Sequence, residues 1–129
     1  MVTIHVQTDC NNSPKKELLR DFTTAFALST PDVILDNLAD DVRWEMVGDK
    51  IINGKADATA MVKEMLDGSI EELTLQHIIT HGDEGSVNGL MTFKDGTKFS
   101  FCDVYTFTSH ATDAKIKSIT SYILEVKPI

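Results

Sequence analysis

The run Lys98-Phe99-Ser100-Phe101-Cys102-Asp103-Val104-Tyr105-Thr106-Phe107 sets one aspartate among four aromatic residues at alternate positions. In a strand, residues two apart share a face, so Phe99, Phe101, Asp103, Tyr105 and Phe107 point the same way. Such a face is too apolar for open water. A carboxyl on it must be hydrogen-bonded, be held neutral with a raised pKa, or line a cavity where something binds. Asp103 is thus the leading candidate for an acid, a base or a ligand anchor. A structural hydrogen-bonding node and a shifted strand register are the other possibilities. Four aromatic neighbours predict a pKa above the ordinary aspartate value of about 3.9, and no Lys or Arg falls on the predicted inward faces to oppose that shift.

The histidines are the other titratable candidates. His77 and His81 are four apart, a spacing that would chelate a metal on a helix but leaves about 13 Å between them in a strand, too far for one ion. His77 shares its parity with Leu73, Leu75 and Ile79, so it is a candidate base facing the same interior as Asp103. The alternative is an edge-strand histidine bonded to its neighbours. The carboxylates Asp32, Asp36, Asp40, Asp41, Glu64, Asp67, Glu71 and Glu72 fit solvated faces and helix termini. The sequence holds no phosphate-cradling glycine loop, nucleophile elbow or metal-binding cluster, so no cofactor is expected.

These side chains need a scaffold, and the sequence predicts helices first and strands later. Ser13-Pro14 is a start signal, and Leu18, Leu19, Phe22, Ala25 and Phe26 recur at helical spacing to about Leu28. Thr30-Pro31 opens a short second helix with Val33, Ile34, Leu35 and Leu38 as its buried stripe. Val42 to Val47 alternates as a strand and carries Trp44; Lys50 to Ile52 returns after Gly48-Asp49. A third helix follows Asn53-Gly54 and runs to about Leu66, with Ala60, Met61, Met65 and Leu66 inward. From Glu71 the period becomes two. Leu73–Thr80, Ser86–Phe93, Thr97–Thr108 and Lys115–Val126 are predicted strands, the first three joined as hairpins by Gly82-Asp83-Glu84-Gly85 and Asp95-Gly96. The order predicts an α+β fold with helices covering one face of a curved sheet. Residues 1–12 are a ragged arm or an edge strand, and residues 13–129 form one domain.

At 129 residues the chain can bury one sizeable core. A formal net charge of -8 argues against nucleic acid and anionic membrane as partners, since both need a Lys/Arg footprint. Cys10 and Cys102 have no metal or redox spacing and fit two free thiols. Without a basic leader or a long apolar run, the expected location is cytoplasmic.

The segment Ala39-Asp40-Asp41-Val42-Arg43-Trp44-Glu45-Met46-Val47-Gly48, Asn53-Gly54-Lys55 opening a helix, and Asp103-Val104-Tyr105-Thr106-Phe107 followed by Ala114-Lys115-Ile116 and Ile119 resemble the nuclear transport factor 2-like superfamily. That group includes ketosteroid isomerases, SnoaL-like polyketide cyclases and limonene-epoxide hydrolases. The resemblance implies a cone-shaped half-barrel, in which three N-terminal helices pack on a strongly bent, mainly antiparallel sheet around an apolar pocket. It also implies a homodimer through the sheet's outer face, where Ser100, Cys102, Val104, Thr106, Ser118, Thr120 and Tyr122 are poor in charge. In ketosteroid isomerases a general-base aspartate would stand at Met46 and an oxyanion-binding tyrosine at Phe22; only the second oxyanion donor has its counterpart, in Asp103. The arginine of limonene-epoxide hydrolases would stand at Phe101. Neither set of catalytic residues is intact.

The inward faces implied for this fold place Phe22, Phe26, Trp44, Met46, Met91, Phe101, Tyr105 and Ile119 along a pocket, with Phe93, Phe99 and Ile123 on the same faces. The expected function is binding of a small, largely apolar molecule. If the chain is an enzyme, the chemistry is cofactor-free proton transfer of the isomerase, cyclase, lyase or hydrolase type around Asp103, with His77 as base. The alternative is a non-catalytic ligand-binding or dimerisation module.

Overall fold

The computed structural model describes residues 2–127. Its elements in chain order are β1 (Thr3–Val6), α1 (Pro14–Leu28), α2 (Pro31–Leu35), β2 (Leu38–Met46), β3 (Lys50–Asn53), α3 (Lys55–Met65), β4 (Ile70–His81), β5 (Glu84–Phe93), β6 (Lys98–Phe107) and β7 (Ile116–Glu125). The α1 start follows the predicted signal: the Ser13 hydroxyl accepts from the Lys16 N–H at 3.3 Å, with Pro14 at the first helical position.

The strands form one strongly curved, unclosed sheet in the order β1-β4-β5-β6-β7-β2-β3. β4 to β7 make the predicted antiparallel meander. The sheet is nevertheless mixed, because β2 pairs in parallel with β7, and β1 pairs in parallel with β4. The first segment is therefore an edge strand. On the concave side α1 packs against β4, and α3 against β2. The core there includes Leu19, Phe22, Ile34, Val42, Val62, Leu75, Tyr105 and Ile119, all essentially without solvent contact.

Several local expectations give way to tertiary pairing. Leu38 opens β2 instead of completing the second helix, because its backbone pairs with Ile116. In α3 the buried side chains are Ala58, Met61 and Val62, while Ala60 and Met65 are exposed. The β4–β5 turn is tighter than predicted, with His81 directly opposite Glu84. The main correction lies in β4. The ladder slips between Leu75, opposite Gly89, and His77, opposite Asn88. One extra residue in a strand inverts the facing of everything after it, so Ile78 is buried whereas His77 and Ile79 are exposed. Gly89 sits at this irregularity, and a Cβ there would lie 1.9 Å from the Thr74 carbonyl oxygen. No larger residue fits.

A buried cation also escapes the expected pattern. Lys15 is only 8% exposed; its ammonium donates to the carbonyls of Gly82 at 2.7 Å and Ser109 at 3.0 Å, and lies 5.0 Å from the centre of the Phe107 ring. It ties the start of α1 to the β4–β5 turn and the loop after β6. On the convex face, Leu90, Val104, Tyr122 and Leu124 are exposed.

Candidate functional site

The concave side holds a cavity of about 320 Å³, at the small end of the range for small-molecule sites. At about 30 Å³ per water, it has room for roughly ten non-hydrogen atoms. Sheet register explains which side chains reach it. Val87, Asp103, Ser121 and Met46 form one cross-strand row over β5, β6, β7 and β2. Asp103, Ser121 and Met46 of that row line the cavity. In the neighbouring row, Phe101 stands opposite Ile123, and both line the cavity as well. α1 contributes Phe26 and Thr23. The end of α3 and the loop after it bring Met65, Asp67 and Ser69; of these Met65 and Asp67 are exposed.

Asp103 is the only titratable side chain on the inner wall, since the other one in the lining, Asp67, is exposed. The Tyr105 hydroxyl donates to its Oδ2 at 3.4 Å, and Ser121 stands directly opposite on β7, where its hydroxyl favours the charged form. Ser121 in turn accepts from the Trp44 indole N–H at 3.1 Å. Burial pushes the Asp103 carboxyl up to about 6 against the two hydroxyl bonds, which pull it down. No cation takes part in this balance. Burial, reinforced by the negative charge of Asp103, holds the Tyr105 phenol well above its ordinary range, so it stays a donor; Thr23 hydrogen-bonds with it. The Thr23 hydroxyl donates to the Leu19 carbonyl at 2.8 Å. At the mouth Asp67 is held below the usual carboxylate range by its bonds from Ser69, with help from Lys94.

The predicted site residues separate into two layers. Phe26, Trp44, Met46, Met91, Phe101 and Asp103 line the cavity. Phe22, Tyr105 and Ile119 lie beneath it at 1% exposure each. The Phe22 ring meets Tyr105 edge-on at 5.9 Å and Phe26 at 5.6 Å. His77 is not brought to the site. Carried outward by the β4 slip, it bonds through Nδ1 to the Asn88 side chain at 2.9 Å. Ser121 and Thr23 were not among the predicted residues. Ser121 lies at the same parity as Ile119 and Ile123, so alternation alone could have found it. Among the described residues, no group of three or more His, Cys, Asp or Glu side chains is arranged to hold a metal ion.

No curated protein matches the chain by sequence. Among solved structures, a nuclear transport factor 2-like protein of unknown function from Cytophaga hutchinsonii is 24% identical, covering 84% of this chain and 98% of that one, with a TM-score of 0.67. A Kribbella flavida protein provisionally named a ketosteroid isomerase is 18% identical over 90% of this chain and 82% of its own, with a TM-score of 0.74. An LEH-like epoxide hydrolase of M. tuberculosis is 18% identical over 87% and 84% of the two chains, with a TM-score of 0.71. At these identities the likeness concerns the fold alone. Residues 19–119 match the SnoaL-like domain. The chain therefore belongs to the SnoaL-like domain family and has the nuclear transport factor 2-like fold.

Proposed function

We propose that this domain binds a small, largely apolar molecule in the cavity, with Asp103 as its polar anchor. One observation carries this reading: a carboxyl, held by two hydroxyls and no cation, lies on the wall of a cavity lined mainly by Phe, Trp, Met, Leu and Ile side chains. A buried carboxyl without a compensating charge costs stability, and a ligand contact gives that cost a use. The chemistry such a group supports is proton transfer, because a carboxyl titrating at about 6 exchanges its proton near neutral pH.

Binding without turnover is a second reading, favoured by what surrounds Asp103. Met46 and Phe22 carry no acid or base, and His77 lies on the outer face. The same proposal includes a homodimer through the convex face, supported by the exposed, uncharged Val104, Tyr122 and Leu124, and a cytoplasmic location.

Trp44, the sole tryptophan, lines the cavity, so its fluorescence reports occupancy. Acetophenone and cumyl alcohol should change it saturably, and the response to cumyl alcohol should weaken at least about tenfold in Asp103→Leu. Exchange of acetophenone's α-hydrogens for deuterium, lost in Asp103→Asn, would mark turnover; binding without exchange would mark a binding module. A filled cone would give no saturable response.

A further inference from the structure

We infer that the ligand of this cavity is a protonated amine: an apolar body carrying one ammonium group, seated among the aromatic rings with its N–H donors on Asp103. The inference rests on the cavity-binding proposal above and adds the chemical class of the ligand.

The first observation is the state of the hydrogen-bond donors. Among the described residues, the donors nearest Asp103 are largely spent within the protein. The Trp44 N–H goes to Ser121, the Tyr105 hydroxyl goes to Asp103, and the Thr23 hydroxyl goes to the Leu19 carbonyl; Ser121 itself stands directly opposite Asp103 and favours its carboxylate. At the mouth the Ser69 backbone N–H donates to Asp67 at 3.0 Å. A carboxylate has about four acceptor sites, and the Tyr105 hydroxyl with Ser121 beside it takes up only part of that capacity. The open capacity beside Asp103 is therefore chiefly acceptor, which a ligand bringing its own donors matches.

The second observation is charge. No Lys, Arg or His lines the cavity, whereas Asp103 and Asp67 do. Lys94, outside the lining, offsets part of the charge of Asp67, which leaves Asp103 as the charge inside. Five aromatic residues, Phe26, Trp44, Phe93, Phe99 and Phe101, share that lining. Ring faces attract cations, and an ammonium donating to a carboxylate makes a charge-assisted bond stronger than a neutral one. An anion would meet two carboxylates and no cation. A carbonyl compound would find a donor only in the minority of molecules with Asp103 protonated at neutral pH.

The test uses three molecules of nearly equal size and shape that differ in one group: cumylamine, cumyl alcohol and tert-butylbenzene, titrated against Trp44 fluorescence at about pH 7.5. Cumylamine should bind at least about tenfold more tightly than cumyl alcohol, and Asp103→Asn should reduce that advantage to less than about threefold. Its affinity should fall about tenfold between about pH 7.5 and about pH 5, as Asp103 takes up its proton and ceases to be a counterion. The affinity of cumyl alcohol should not fall with it. If the alcohol binds as well as the amine or better, the cation inference is overturned while the cavity-binding proposal stands. If none of the three binds saturably, both fail together.

Discussion

Replacing Asp103 with Asn should change how stability depends on pH. The carboxyl titrates at about 6 in the folded protein and at its ordinary 3.8 when unfolded. At 1.36 kcal/mol per pH unit, that gap is worth about 3 kcal/mol. Below about pH 3.8 the group is protonated in both states and costs nothing. Between 3.8 and about 6 the unfolded chain ionises while the folded one resists, so the native state loses stability, and above about 6 the loss is complete. Asp103→Asn removes this loss; the value of about 6 already includes the help of the neighbouring hydroxyls, and near pH 4 the folded carboxyl is neutral, so the amide there replaces a neutral group. The variant should lie within about 1 kcal/mol of the wild type near pH 4 and be about 2–3 kcal/mol more stable at pH 7. The change in their difference, about 2 kcal/mol between those pH values, is the robust quantity, because other titrating groups cancel. Urea unfolding of both proteins at several pH values measures it. A difference that is flat, or that turns against the variant as pH rises, would refute the raised pKa and make Asp103 an ionised structural node.

Three further outcomes are expected. Ser121→Ala takes the acceptor from Trp44 and a donor from Asp103; it should cost about 1–3 kcal/mol in urea unfolding and move the Asp103 titration, followed by carboxyl carbon NMR, further above 6. Lys15→Met removes two bonds to buried carbonyls and a cation over Phe107, and should cost about 2–4 kcal/mol; a loss below about 0.5 kcal/mol would deny Lys15 its tying role. Light scattering should give twice the monomer mass at micromolar concentration, with Val104→Lys shifting the protein toward monomer, and a monomeric wild type would end the dimer proposal.

The architecture was legible wherever one strand keeps one parity. β6 runs without a slip from Lys98 to Thr106, so alternation put Phe99, Phe101, Asp103 and Tyr105 on the inner face correctly. Depth was not legible, because parity gives a side and not a distance from the surface: Tyr105 and Ile119 share the inward face yet lie below the cavity floor. His77 failed for another reason. Its strand slips by one residue beside Gly89, and nothing in Leu75-Gln76-His77 announces the slip; the constraint is the approach of the Gly89 backbone to Thr74 across the ladder. Leu38 was misplaced because its apolar character fits a helix stripe as well as a strand, and pairing with Ile116 decides the matter. Lys15 is buried by two carbonyls distant in sequence, which no local pattern encodes.

The methionines give the most direct test of ligand occupancy at this site. Met46, Met65 and Met91 line the cavity, whereas Met61 is buried in the core outside the lining. With 13C-labelled methionine methyl groups, adding cumyl alcohol should shift Met46, Met65 and Met91 saturably with a common affinity, leave Met61 unmoved, and give the same pattern at much weaker affinity in Asp103→Leu. Shifts spread evenly over all the methyl groups, or an affinity unchanged in Asp103→Leu, would contradict a cavity anchored at Asp103.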